Sequence, residues 1–218
     1  MSDLAQGRLS LTVGDCKLQF PVQLVAQALL EKISGNMPPI RDSVVNPPAI
    51  GKYWQGQGGF YAGQMRCNNG GPDYHLILAE GQNSTHWCEL NRQYSCALSD
   101  FDGKSNTREL IEGSGLFPAA EWARRLTVES HQDFYLPAKQ EMLLLFSNMP
   151  GEFPEASYWT STVVENQSGL ESHLGISAKS ACVLRVGKNG RLSMRVGNPC
   201  DLFVARAVRR VVLRSERT

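Results

Sequence analysis

Apolar and polar positions alternate near the start of the chain. Leu9, Leu11 and Val13 are separated by polar neighbours, Gly14-Asp15 interrupts, and Cys16, Leu18 and Phe20 alternate again. This predicts a short hairpin over 8–20. The period then lengthens. Behind Pro21, a residue suited to the first helical position, Val22, Val25, Ala26, Leu29, Leu30 and Ile33 fall at helical spacing, and Gly35 stops the run. A helix is expected over 21–33. Its stripe, led by Val22, Val25, Leu29 and Ile33, has two readings: it packs on the rest of the chain, or it binds a partner or forms a homo-oligomer. Met37-Pro38-Pro39 and Asn46-Pro47-Pro48 cannot continue a helix or a central strand. The chain therefore divides into a hairpin–helix appendage (1–36), a proline-rich linker (37–50) and a main domain (51–218).

Within the main domain, Gly59–Arg66 and Asp73–Ala79 read as paired strands. Three short helices follow. Asn106 with Glu109 has the spacing of a capping box and Gly113 ends that helix; Pro118 opens a second, with Trp122, Ala123 and Leu126 on one face. Ala138–Ser147 is the third, with Met142, Leu143, Leu145 and Phe146 apolar. The last third, Ser157–Leu213, is β-rich. Ser180–Val186 and Arg191–Val196 flank Gly187-Lys188-Asn189-Gly190, a hairpin signal, and Val204–Val211 reads as a closing strand.

Composition narrows the class. With 218 residues, 42% hydrophobic and 20% charged, the chain has the makeup of a globular protein. Twenty glycines and eleven prolines favour turns and short strands. The net charge of +1 gives no global case for nucleic acid. No apolar run reaches the ~20 residues of a membrane span, so no membrane insertion is expected. Met1-Ser2-Asp3-Leu4-Ala5-Gln6 lacks the basic start and apolar core of a signal peptide. Synthesis in a cytoplasm is expected, with a final place there or in a virion. The six cysteines include no Cys-x-x-Cys pair, so reduced thiols are expected.

Candidate chemistry is sparse. Gly51–Gly59 is glycine-rich but lacks the lysine and Ser/Thr of a phosphate loop; close backbone approach is the better reading. His75, between Tyr74 and Leu76, reads as a hydrogen-bonded structural residue. His86-Trp87-Cys88 and Cys96 lack the spacing of a zinc site, and Asp100-Phe101-Asp102-Gly103 would put Leu98 at the first position of a calcium loop. No metal and no cofactor are expected. Asp133 and Glu141 are tempting as an acid/base pair, although Glu141 equally reads as a charge at a helix start.

Several motifs occur in an order that resembles a known family. They are Gly56-Gln57-Gly58-Gly59-Phe60-Tyr61-Ala62-Gly63, Pro72-Asp73-Tyr74-His75-Leu76-Ile77, Asp102-Gly103-Lys104-Ser105-Asn106-Thr107, Pro118-Ala119-Ala120-Glu121-Trp122, His131-Gln132-Asp133-Phe134-Tyr135-Leu136-Pro137, Tyr158-Trp159-Thr160-Ser161-Thr162 and Val204–Arg210. Residues 51–213 resemble the phage- and prophage-associated family named after the C-terminal domain of Lcl, a bacterial collagen-like adhesin. Phe134 stands where the family usually has tryptophan. The resemblance implies an α+β, C-type-lectin-like module with small twisted antiparallel sheets, short helices and long loops. It is distantly similar to phage tropism determinants and formylglycine-generating enzymes. The calcium-dependent sugar triplets of lectin-like folds are missing from the sequence, so any binding would be calcium-independent.

The expected function is therefore non-enzymatic recognition of a host protein or a surface glycan. The candidate ligand surface is the last third: Glu165, Asn166, Gln167, Glu171 and His173, then Arg185, Lys188, Asn189 and Arg191. One alternative is an intracellular phage protein that binds and inhibits a host defence factor. Another is a copper-dependent oxidase of the formylglycine-generating type, which would need Cys182 and Cys200 to come together. Nucleic acid is disfavoured, although Arg206, Arg209, Arg210, Arg214 and Arg217 crowd the C-terminus; Arg206 and Arg210 are expected on one strand face and Arg209 on the other.

Overall fold

The computed structural model describes residues 8–13, 16–21, 46–67, 70–89, 99–113, 115–165 and 179–212. The chain divides into two compact units, Met1–Asn46 and Pro47–Thr218. In the first, β1 (Arg8–Val13) and β2 (Cys16–Pro21) form an antiparallel hairpin whose register sets Leu9 against Phe20, Leu11 against Leu18 and Val13 against Cys16. Pro21 closes β2 opposite Arg8; the rest of the helix expected over 21–33 lies outside the described residues. In a two-stranded sheet both strands are edges, where a missing N–H is tolerated. Val22, Val25, Leu29 and Ile33 lie outside the described residues, as do Asn166, Gln167, Glu171 and His173.

The second unit is mixed α+β. Its strands are β3 (Tyr53–Trp54), β4 (Gly59–Met65), β5 (Tyr74–Leu78), β6 (Asn83–Thr85), β7 (Ala156–Glu165), β8 (Lys179–Val186), β9 (Leu192–Val196), β10 (Phe203–Ala205) and β11 (Val208–Val212). Its helices are α1 (Gly103–Glu112), α2 (Pro118–Arg125) and α3 (Lys139–Asn148). One sheet has the order β11-β5-β4-β3, the other β6-β10-β7-β8-β9. Among the described residues no helix is long and apolar enough to cross a membrane.

Strand alternation distributes the core. Successive β residues point to opposite faces. On β7, Trp159 joins a cluster with Trp87, Phe117, Phe134 and Val183, while Tyr158 joins another with Leu76, Leu78, Met142, Leu145, Leu184 and Val208. The five-stranded sheet is thus buried on both faces around Tyr158 and Trp159. The polar run that follows is buried too, and its hydroxyls are bonded. Thr160 Oγ1 donates to the Cys182 carbonyl (2.7 Å), Thr162 Oγ1 to the Ser99 carbonyl (3.0 Å), and Trp87 Nε1 donates to the Thr160 carbonyl (2.8 Å).

Two sequence expectations change. Helix α1 begins at Gly103, capped by Asp102, whose Oδ1 accepts from the Ser105 N–H (3.0 Å). Asn106 is not the cap. It is buried within the helix, where its Nδ2 donates to the Ser99 carbonyl (2.6 Å) and its Oδ1 accepts from the Ser99 N–H (2.8 Å). Gly103 permits the earlier start, because a Cβ there would stand 2.4 Å from Glu141 Oε2 and 2.6 Å from the Ala138 nitrogen. The closing segment is also two strands, not one. β10 runs parallel to β7 in one sheet, whereas β11 pairs with β5 in the other, and the chain crosses at Arg206-Ala207. Arg206 and Arg210 therefore do not share a strand face. Arg206 is buried beside Glu152 and over the Phe153 ring.

A cationic groove beside helix α1

Among the described residues, an open groove of about 830 Å³ is lined by α1, Arg124 of α2, the segment 130–135 and two residues of β11. From α1 come Lys104, Ser105, Thr107, Arg108, Ile111 and Glu112. Lys104 and Arg108 are four residues apart, so they stand on the same helix face. Arg209 and Arg210 come from β11, and because that strand is a sheet edge both reach the groove.

Two of these cations are tied down. Arg209 Nε meets Asp133 Oδ1 at 2.5 Å and its Nη1 donates to Gln57 Oε1 (2.7 Å). Arg210 Nη1 meets Asp102 Oδ1 at 3.1 Å, with its guanidinium 5.4 Å from the centre of the Tyr74 ring. Arg124 Nη1 donates to the Gln132 carbonyl. Lys104, Arg108 and Arg124 have no ion pair among the described residues. All three are exposed, so among the described residues the groove carries a cationic excess.

The rim is held by a strained turn. Val128 and His131 exchange two backbone hydrogen bonds around Glu129 and Ser130, whose φ angles are 47° and 69°. Two non-glycine residues in the left-handed region cost about 1 kcal/mol or more each and persist only where surrounding contacts impose them. Those contacts come from the glycine-rich loop. Glu129 Oε2 accepts from the Gly58 N–H (2.8 Å), and His131 Nε2 bonds the Gly56 carbonyl (2.8 Å). A loop with the look of a phosphate cradle instead receives a carboxylate of its own chain, in line with the reading of close backbone approach.

Beneath the groove lies Glu141, fully buried at the start of α3. Its Oε1 accepts from the hydroxyls of Tyr74 (2.7 Å) and Tyr135 (2.8 Å), and its Oε2 from the N–H groups of Ala138 (2.8 Å) and Gly103 (3.2 Å). Burial pushes its carboxyl up to about 7, although these donors pull in the other direction. Burial also acts to raise Asp102, but the Ser105 N–H and Arg210 outweigh it and hold that carboxyl below its ordinary value. Asp133 and Glu141 thus have separate partners: Asp133 pairs with Arg209, whereas Glu141 joins α1, α3, β5 and Tyr135.

The residues expected to bind ligand divide differently. Arg185, Lys188, Asn189 and Arg191 are exposed at the β8–β9 hairpin, and none lines the groove. Glu165 ends β7. Of the groove cations only Arg209 and Arg210 drew notice in the sequence. The i, i+4 pair Lys104 and Arg108 was the signal available for the rest. His75 is structural, as expected: it is buried, and its Nδ1 bonds the Tyr61 hydroxyl (2.9 Å). Cys182 and Cys200 are free thiols. Cys182 is buried on β8, which pushes its thiol up to about 11. Cys200 belongs to a turn docked on segment 86–88, where His86 Nδ1 bonds the Cys200 carbonyl (2.7 Å) and the Trp87 N–H donates to the Pro199 carbonyl (3.0 Å). Comparison with protein-family models, curated proteins and solved structures found no match for this chain.

Proposed function

We propose that residues 47–218 form a lectin-like recognition module that binds an anionic ligand, on a host protein or surface, in the groove beside α1. The observation that carries this reading is the set of three exposed cations, Lys104, Arg108 and Arg124, without carboxylate partners among the described residues, in a concavity of about 830 Å³. Their walls are rigid: α1 is capped by Asp102 and anchored through Asn106 and Glu141, and the opposite rim is pinned to the glycine-rich loop. A pre-organised site loses little freedom on binding, which favours recognition. The lectin-like reading is supported by β11, which returns to pair with β5 in the sheet that holds the first strands of the unit. The resemblance to the phage-associated family points the same way.

The test is fluorescence anisotropy with three labelled probes: a polyglutamate peptide, inorganic polyphosphate and an alginate oligosaccharide. At least one should bind the native chain, with affinity falling as salt is raised. A Lys104→Glu, Arg108→Glu double variant should weaken that binding at least tenfold. Equal binding by the native and double-variant proteins, or no binding of any probe, would remove the groove from consideration.

A further inference from the structure

A second cationic surface lies on the five-stranded sheet and does not depend on the groove. Register sets Ser157 of β7 beside Arg185 of β8, and Arg185 beside Ser193 of β9. Residues two apart on a strand share a face and stand about 7 Å apart, so Arg195 lies on the same side as Ser193, and Arg191 immediately precedes β9. Arg191 is fixed opposite Gly187, whose N–H donates to its carbonyl (2.8 Å). Arg185 of β8, Arg195 of β9 and Arg191 of the turn between them therefore lie near Ser193, and all three are exposed.

Two of them converge further. Arg185 Nη1 lies 3.4 Å and Arg195 Nη2 3.2 Å from the hydroxyl oxygen of Ser157, which is itself only 5% exposed. Neither arginine has an ion pair among the described residues, and neither do Lys188 and Arg191. Guanidinium groups repel one another, and a shared neutral hydroxyl does not neutralise them. An anion would. Its shape follows from the donors. A carboxylate presents two oxygens in one plane, matched by one guanidinium fork. Here two forks and a hydroxyl come from three neighbouring strands, a non-planar set that fits the oxygens of a tetrahedral group.

We propose that Arg185, Arg195 and Ser157 form a seat for a phosphoryl group, either as free phosphate or at the end of a larger ligand, with Arg191 at its margin. The seat is separate from the groove, since none of these residues lines it.

The experiment is an NMR titration of the full chain at constant ionic strength and pH 7.5. It follows the arginine side-chain Nε–H signals, with inorganic phosphate in one arm and methyl phosphate in the other, each against chloride. Signals of Arg185 and Arg195 should move together and saturate at a common half-point in the millimolar range. Arg195→Gln should weaken the effect at least fivefold, and Arg195→Lys, which keeps the charge but loses the fork, should also weaken it. Lys104→Gln with Arg108→Gln should leave it unchanged, which separates this seat from the groove. Saturation by both probes places the phosphoryl group on a larger ligand; saturation by inorganic phosphate alone identifies free phosphate. Non-saturating shifts, equal shifts with chloride, or an unaltered response in Arg195→Gln would overturn the proposal.

Discussion

Glu141 and Arg206 are both buried ionisable residues, and they differ in how well they are satisfied. Glu141 has four donors, whereas Arg206 has long contacts to Gln82 (3.4 Å) and Glu152 (3.5 Å) and an Nε without a partner among the described residues. The folded-state pKa of Glu141 lies above its ordinary value, so the folded chain holds that proton more tightly than the unfolded chain. Its contribution is full below about pH 4.5 and is lost as pH rises toward about 7, by on the order of 3 kcal/mol. Burial lowers the pKa of His75, which adds a slope of the opposite sign near neutrality. The readout is therefore the difference between the native protein and Glu141→Gln in urea unfolding at pH 5, 6 and 7.5. A glutamine can accept from the two backbone N–H groups and donate to the tyrosine oxygens. The native protein should lose stability relative to the variant as pH rises above 5, and parallel curves would refute the assignment. For Arg206, replacement by methionine keeps the packing over Phe153 and removes a desolvated charge. Arg206→Met should be neutral or stabilising by about 1 kcal/mol, while Arg206→Ala should destabilise by about 2 kcal/mol. Denaturant midpoints separate the two outcomes.

At the scale of elements, local signals and tertiary demands met with different results. The hairpin turn Gly187–Gly190 formed as expected, with Asn189 and Gly190 at φ of 60° and 71°. These residues tolerate that region, so the preference is local. The turn at Glu129-Ser130 gave no such signal, because neither residue favours positive φ and the conformation is imposed by contacts to Gly56 and Gly58. Ser130→Gly should relieve that strain without removing those contacts. A gain of about 0.5–1 kcal/mol is expected in thermal unfolding; a loss would mean that the serine side chain itself stabilises the turn. The cap of α1 shows the same competition. Asp102 and Asn106 can each cap a helix, and nothing local separates them. What decides is Arg210 on Asp102 and the buried bonds of Asn106 to Ser99.

At the scale of the whole molecule, the two units should behave as separate folding entities. A fragment comprising residues 47–218 should unfold cooperatively with a midpoint within a few degrees of the main transition of the full chain, as followed by circular dichroism. Loss of cooperative unfolding would show that the first unit is needed for the fold of the second. The sequence by itself determined what depends on neighbours in the chain: the period-two runs of β1 and β2, the short strand-like runs of β4, β5, β8 and β9 between turn residues, the helical stripes of α2 and α3 and the absence of excess net charge. Only the tertiary structure decided which of these faces meet. It broke Val204–Val211 between two sheets, turned both Arg209 and Arg210 into one groove, separated Asp133 from Glu141, and set Arg185 and Arg195 over Ser157. The reason is physical: periodicity reports which side of an element is apolar, whereas pairing between strands distant in sequence depends on burial and register summed over the whole core.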